Sequence, residues 1–453
     1  MKALNKAFIR DNNTKYQWHS HTQPGRDKDW RPIVIARGDG CHVEDIDGNR
    51  YVDGLAGLWC VNVGHNRQEI KQAIADQLDQ IEYYASFLGT TTPPSIELSK
   101  KLIEMTAQEG MDKVIFSSGG SDAVENALKI ARQYWRVQGK GERTKFLSLK
   151  QGYHGIHIGG ASVNGNTFFR SNYEPLLPGC YHVATPWLYH NPWTQDPEEL
   201  AAICADLLER EIVFQGPETI AAFIAEPVQG AGGIIIPPAS YWPRVRAICD
   251  KYGILLIADE VVTGFGRAGE MFGVRAWGVK PDIMTLAKGI SSGYIPLGAT
   301  VLSEKVTSAW ENSTSDAGIL TLGYTYGGHP VACAAALACL DITEKEDLPG
   351  NAKRQGERML SAVKHFGTTY KSVGDVRGMG LMVCLELVSD KKTKEPVDEG
   401  FVQQLASKVM EAGVIIRPAG GKLIASPPLV INDAECDKIV EALTYAFDAL
   451  DRH

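Results

Sequence analysis

The sequence predicts an α/β fold, with a large domain built on a mostly parallel sheet flanked by helices and a smaller α+β domain beside it. Three observations carry this. Short apolar runs recur through the middle of the chain and read as buried strands, at residues 113–116, 145–149, 220–225, 254–258 and 283–286. Helical patterns follow at 122–137, 197–211 and 240–252. This alternation argues for strands covered by helices on both faces, the arrangement of a parallel sheet. Polar residues stand at the ends of several runs, and in such sheets ligands sit outside the carboxyl ends of the strands.

Residues 1–70 read as an N-terminal arm that contributes to the small domain. Within them, 41–53 form a hairpin turning at Asp47-Gly48. The apolar positions Ile70, Ile74, Leu78 and Ile81 recur at helical spacing. They open a large domain over 71–335, and an Ala-rich helix from Pro330 to Ile342 leads from it towards the last segment. Residues 336–453 read as the C-terminal small domain, with strands at 381–387 and 414–417 and a helix over 434–450. No tandem repeat or low-complexity tract interrupts this order.

Composition excludes several classes. Hydrophobic residues make up 44 %, charged residues 22 %, and the net charge is −8. That is ordinary globular composition, with no electrostatic footprint for nucleic acid. No window is apolar for long enough to span a bilayer. Residues 1–30 are polar and charged, so no secretory signal is expected. The nine cysteines contain no Cys-x-x-Cys pair. An odd count without metal spacing points to reduced thiols in the cytoplasm, and no metal site is expected.

The chemistry concentrates at strand ends. Lys288 follows the apolar run 283–286, with Gly289 and Gly293 close behind. Burial there disfavours the ammonium form and leaves a nucleophilic amine. Asp259 and Glu260 close the run at 254–258, and a buried acid needs a partner. An amine nucleophile with an acid on a neighbouring strand is what pyridoxal phosphate chemistry requires: a Schiff-base lysine and a carboxylate for the ring nitrogen.

Other motifs admit two readings each. Ser117-Ser118-Gly119-Gly120-Ser121-Asp122 leads from a strand into a helix. It suits an anion at a helix N-terminus, or a plain glycine turn capped by Ser121 or Asp122. Tyr153-His154 could stack on a flat cofactor or pack in the core. Glu226 precedes a glycine-rich loop and reads as a site acid or a surface one. Thr325, in Gly323-Tyr324-Thr325-Tyr326-Gly327-Gly328-His329-Pro330, could donate to a phosphate or merely start the next helix. Arg417 ends a strand and suits a carboxylate, or is a surface charge. Gly264-Phe265-Gly266-Arg267-Ala268-Gly269 matches a dinucleotide fingerprint literally. No amphipathic helix follows it, and Asp282 would begin its strand rather than end it, so that reading is rejected.

Taken together, the motifs resemble the class III aminotransferases of PLP fold type I, from about residue 30 to the C-terminus. The fingerprint is Asp259-Glu260-Val261 with Gly264-Phe265-Gly266-Arg267, then Ala287-Lys288-Gly289, then Thr325 ahead of Gly328-His329-Pro330. Within the family the chain is most similar to the ω-amino acid and amine:pyruvate transaminases. The resemblance implies pyridoxal 5'-phosphate held as an internal aldimine on Lys288, and a pyridoxamine phosphate form during turnover. It implies that Asp259 pairs with the pyridine nitrogen, that Val261 and Tyr153 cover the two ring faces, and that Glu226 supports the Asp259 side. It implies further that Gly120 and Ser121 bind the phosphate, that His154 belongs to the cofactor site, and that Thr325 reaches the neighbouring subunit's phosphate. Trp59, Phe87 and Ile156 would line the substrate pocket, and Arg417 would take a carboxylate. The implied assembly is a homodimer with shared sites, or a tetramer of such dimers.

Two departures stand out. The family's usual Ser-Gly-Ser-Glu is here Gly119-Gly120-Ser121-Asp122, one hydroxyl fewer, and Tyr326-Gly327 replaces the usual Tyr-Ser. The implied reaction moves an amino group from a primary amine or ω-amino acid to pyruvate or a similar keto acid. The same fold also serves PLP-dependent decarboxylases and aminomutases. A dehydrogenase using 264–269 and a non-catalytic scaffold are the readings from other classes. Candidate donors are β-alanine, taurine, putrescine, longer ω-amino acids and aryl-alkyl amines.

Overall fold

The fold is taken from a computed structural model that describes residues 5–26 and 31–452. Of the polar N-terminal stretch, residues 1–4 and 27–30 therefore lie outside the described residues. Three strands open the chain as a meander: β1 (Ile35–Asp39), β2 (His42–Asp45) and β3 (Arg50–Asp53). The predicted turn joins β2 to β3, and Gly48 there takes φ +93°, which favours glycine. The predicted helix from Ile70 runs Gln68–Gln80, with Ile81 just past its end.

The large sheet contains β4 (Met111–Ser117), β5 (Lys145–Leu149), β6 (Cys180–Val183), β7 (Ile220–Ala225), β8 (Leu255–Asp259), β9 (Ile283–Leu286) and β10 (Gly298–Ser303). Their spatial order is β4-β10-β9-β8-β7-β5-β6. The strands from β9 to β6 pair in parallel. β10 is antiparallel to both neighbours, β4 and β9. Hence β4 runs in the same direction as the parallel strands. The carboxyl ends of β4, β5, β7, β8 and β9 all open on one edge, and β10 begins there.

Every residue of β7 and of β8 is buried. Both faces are covered, which explains why these strands read as unbroken apolar runs rather than alternating ones. One face packs on the Gly120–Val137 helix through Val124, Ala127 and Ala131. The other packs on the Pro197–Gln215 and Tyr241–Tyr252 helices through Leu208, Trp242 and Val245. Each fully buried Leu, Ile or Phe contributes about 1.5–3 kcal/mol, so these two faces hold the site-bearing edge rigid.

The C-terminal part adds β11 (Val373–Gly378), β12 (Val383–Leu387), β13 (Val414–Ile415), β14 (Arg417–Pro418) and β15 (Lys422–Ala425). Here the structure corrects the sequence reading. The single strand expected over 414–417 is two: β13 pairs in parallel with β3, while β14 pairs with β15 in the β11-β12-β15-β14 sheet. The chain changes sheets at Ile416, because Val414 and Ile415 bury against the meander while Arg417 turns towards the large sheet. This strand exchange makes the N- and C-terminal segments one α+β unit. The Pro330–Lys345 helix runs through position 335 without interruption. The last helix, Asp433–Leu450, starts at a capping box in which Asn432 and Glu435 satisfy each other's backbone N–H.

Candidate active site

At the carboxyl edge lies a cavity of about 390 Å³, lined in part by Gly120, Ser121, Tyr153, His154, Glu226, Asp259, Val261 and Lys288. The strand topology brings these eight together from five separate strand ends. Lys288 starts a single 3-10 turn directly after β9, with φ +44°. A non-glycine residue in that region carries local backbone strain, a feature that concentrates at functional sites. Gly289 behind it is obligatory: a Cβ there would stand 2.4 Å from Asn62 Nδ2.

The Lys288 amine opens to the cavity but is otherwise enclosed by protein. Burial pushes its pKa down, and Arg417 adds to this; Asp259, Cys60 and Glu226 pull the other way without winning. Nζ lies 6.0 Å from the centroid of the Trp59 ring.

Asp259 is buried and each of its oxygens has a partner, Oδ2 only one. His154 Nδ1 lies 2.8 Å from Oδ2. Thr285 Oγ1 donates to Oδ1 at 3.0 Å, and the Val261 N–H donates to the same oxygen at 3.2 Å. The parallel register sets Thr285 opposite Asp259. His154 is held in turn, its N–H donating to Asn164 Oδ1. Glu226 accepts from the Tyr153 N–H at 3.0 Å and from the Gly230 N–H at 2.8 Å. Burial, reinforced by Asp259, nonetheless raises its pKa to about 7. Tyr153 is braced by Phe169, ring centroids 4.6 Å apart.

The Gly120–Val137 helix points its N-terminus at the cavity, so free N–H groups and positive potential face it. Ser121 Oγ accepts from the Ile156 N–H at 3.3 Å. Gly155, at φ +96°, lies so close to Ser121 that a Cβ would come within 2.6 Å of its Oγ.

The remaining predicted residues divide. Trp59 is buried beside the cavity, and the Arg417 guanidinium lies 4.9 Å from its ring centroid. Phe87 and Ile156 are 42 % and 68 % exposed, and Thr325 is exposed too, so in this chain none of the three reaches the Lys288 cavity. Thr325 sits near Phe87 on one surface, its carbonyl accepting from Tyr83 Oη at 2.7 Å. The sequence reading missed Thr285, Asn164 and Cys60, which lines the cavity. A lone hydroxyl in the apolar run of β9 was the available signal for Thr285.

The glycine motif at 264–269 forms turns, followed by a five-residue 3-10 helix, Gly273–Trp277, rather than an amphipathic α-helix. Arg267 within it is fully buried and bonds the Leu381 and Pro427 carbonyls and Asn62 Oδ1. Asp282 is tied to Arg246 and Lys305. Both therefore have structural roles and leave no dinucleotide site.

The family profile for Aminotransferase class-III matches residues 24–447. The chain belongs to the class III aminotransferases. It is 38 % identical over 408 residues to the putrescine–pyruvate aminotransferase of Pseudomonas aeruginosa, covering 90 % of this chain and 88 % of that one. Among solved structures it resembles an amine transaminase from an uncultivated Pseudomonas species in its PLP-bound, internal aldimine form. That match has 54 % identity and a TM-score of 0.95, over 97 % of this chain and all of the other. A thermostable (S)-enantioselective ω-transaminase from Thermomicrobium roseum matches with 41 % identity and a TM-score of 0.95, over 99 % of each chain. The enzyme is thus a PLP-dependent aminotransferase with the fold type I architecture. The cavity's donors fit that cofactor: a buried amine, a carboxylate with fixed partners and a helix N-terminus for a phosphate. Among the described residues no helix is long and apolar enough to cross a membrane.

Proposed function

We propose that this enzyme is an ω-transaminase, moving an amino group from a primary amine or ω-amino acid to pyruvate or a similar small keto acid. The observation that carries the proposal is the pairing of an enclosed Lys288 amine with an Arg417 guanidinium that has no carboxylate partner among the described residues. Both cations lie near the apolar Trp59 ring, which suits a donor lacking an α-carboxylate. Arg417 suits the carboxylate of the acceptor. Pyridoxal phosphate, when bound, supplies the electron sink for the carbon that carries the amino group.

The chain's own residues do the rest. Lys288 Nζ would take a proton from the donor's amine-bearing carbon as base and, as acid, deliver it on the far side of the amino nitrogen, a 1,3-shift rather than one between adjacent carbons. Its lowered pKa leaves more of the free amine that this needs. Asp259 would hold positive charge on the ring nitrogen, with Glu226 on the same side. Val261 and Tyr153 would cover the ring faces, His154 steadies Asp259, and the Gly120–Ser121 backbone and hydroxyl would hold the phosphate. With Gly119 in place of a serine, phosphate binding leans on backbone N–H groups.

We read the assembly as a homodimer, alone or paired into a tetramer. Phe87, Leu88, Leu320 and Tyr326 are exposed around Thr325. An apolar patch of this kind marks an interface, and pairing it would deliver Phe87 and Thr325 to the partner's site, with Ile156 at the rim. Free, mostly buried cysteines support a cytoplasmic location.

The test is a half-reaction. Primary amines and ω-amino acids should each discharge the bound-cofactor absorbance without acceptor, and pyruvate should restore it. With a primary amine donor that has no carboxylate, Arg417→Ala should slow only restoration by pyruvate, about tenfold or more at subsaturating acceptor. No discharge with any ω-amine, or an equal loss in both halves, would contradict the proposal.

A further inference from the structure

A second cleft, of about 440 Å³, shares no lining residue with the Lys288 cavity. One wall comes from Lys150 after β5 and from Trp187 and Trp193 after β6. The other comes from Glu386 in β12, Lys394, and Lys422 at the start of β15. The only carboxylate lining the cleft is already neutralised: Arg377 Nη1 lies 2.6 Å from Glu386 Oε2, and His190 holds Oε1. Lys394 Nζ donates to the Tyr189 carbonyl at 2.6 Å, and Lys422 Nζ reaches only the Gly420 carbonyl at 3.4 Å. Among the described residues Lys150, Lys394 and Lys422 have no carboxylate within ion-pair distance. Three lysines thus line one cleft in a protein of net charge −8. Solvated surface lysines normally spread apart, because like charges in a low-dielectric concavity repel.

The cleft is also aromatic. Trp187 carries Lys422 Nζ at 5.5 Å and the Arg377 guanidinium at 5.3 Å from its ring centroid. Its indole N–H is buried with no acceptor, which leaves a donor unsatisfied. Trp193 is 46 % exposed and offers a ring to a ligand. The volume lies in the range of small-molecule sites, about 300–1,000 Å³.

We propose that this cleft binds a phosphorylated aromatic compound of mononucleotide size. The phosphate sits among Lys150, Lys394 and Lys422, and the flat ring lies against Trp193. The ligand bridges the large sheet and the β12–β15 sheet.

The experiment is calorimetric titration of the cofactor-saturated enzyme with adenosine monophosphate, adenosine and inorganic phosphate at low salt. Adenosine monophosphate is expected to bind, with adenosine and phosphate each about tenfold weaker or more. A Lys394→Glu, Lys422→Glu double variant should weaken adenosine monophosphate by at least about tenfold and leave the bound-cofactor absorbance unchanged. Trp193→Ala should weaken it as well. If the double variant does not fold, Lys150→Glu at the exposed rim takes its place with the same expected direction. No binding at millimolar concentration, binding untouched by charge reversal, or phosphate binding as tightly as the nucleotide would each overturn the proposal.

Discussion

Thr285→Val tests how Asp259, the acid proposed to meet the cofactor ring, is held. Thr285 is fully buried in β9, opposite Asp259 in β8. Valine keeps its shape and removes one donor. Asp259 Oδ1 then retains only the 3.2 Å bond from the Val261 N–H, while Oδ2 keeps His154. A hydrogen bond to a charged group contributes about 1.5–3 kcal/mol. Where that stabilisation is realised when the carboxylate meets the ring nitrogen, its loss weakens cofactor binding by about 10- to 100-fold, at about 1.4 kcal/mol per factor of ten. The assay is equilibrium titration of cofactor-free enzyme with pyridoxal phosphate, followed by absorbance. Thr285→Ser, which keeps the hydroxyl, should restore most of the affinity. The reasoning fails if Thr285→Val binds within about twofold of the parent, or if the serine variant is as weak as the valine one.

Two further outcomes follow from the buried groups. Burial raises the pKa of Glu226 from 4.5 to about 7, and burial does the same to Glu260. The folded cofactor-free protein then holds protons that the unfolded chain has released. The stabilisation from these two acids is fully present below pH 4.5, is lost as pH rises towards 7, and is gone above it. Each acid accounts for roughly 3 kcal/mol of that fall. Urea unfolding of Glu226→Gln at pH 5 and pH 8 should show a smaller drop than the parent; a larger drop contradicts the sign. Separately, Gly155→Ala forces a Cβ onto Ser121 Oγ at a positive φ. It should lower cofactor affinity while leaving the overall circular dichroism unchanged, and unaltered affinity would remove Ser121 from the phosphate cradle.

Much of the frame was legible because the central strands are buried on both faces. β5, β7 and β9 coincide with their apolar runs to the residue. β6 and β10 were not anticipated. β6 is a partly exposed edge strand, Cys180–Val183, with a mixed pattern and no clear period. β10 is wholly buried, but its Gly-Ala-Thr start resembles loop. The break at Ile416 was invisible because both halves are extended and only their partners differ. The site was legible where a polar residue ends an apolar run, as at Asp259 and Lys288. It was illegible where the partner depends on register, as for Thr285, or on a loop returning from elsewhere, as for Asn164 and Cys60. Phe87 and Thr325 mark a different limit: both are exposed in the single chain, so their reading rests on the proposed homodimer.

The central claim is that Lys288 carries the cofactor. Borohydride reduction of the holoenzyme, followed by proteolysis and mass spectrometry, tests it directly. The account predicts a phosphopyridoxyl mass on the peptide containing Ala287-Lys288-Gly289 and on no other lysine, and its loss in Lys288→Ala. The label on a different lysine, or unchanged labelling in that variant, would contradict it.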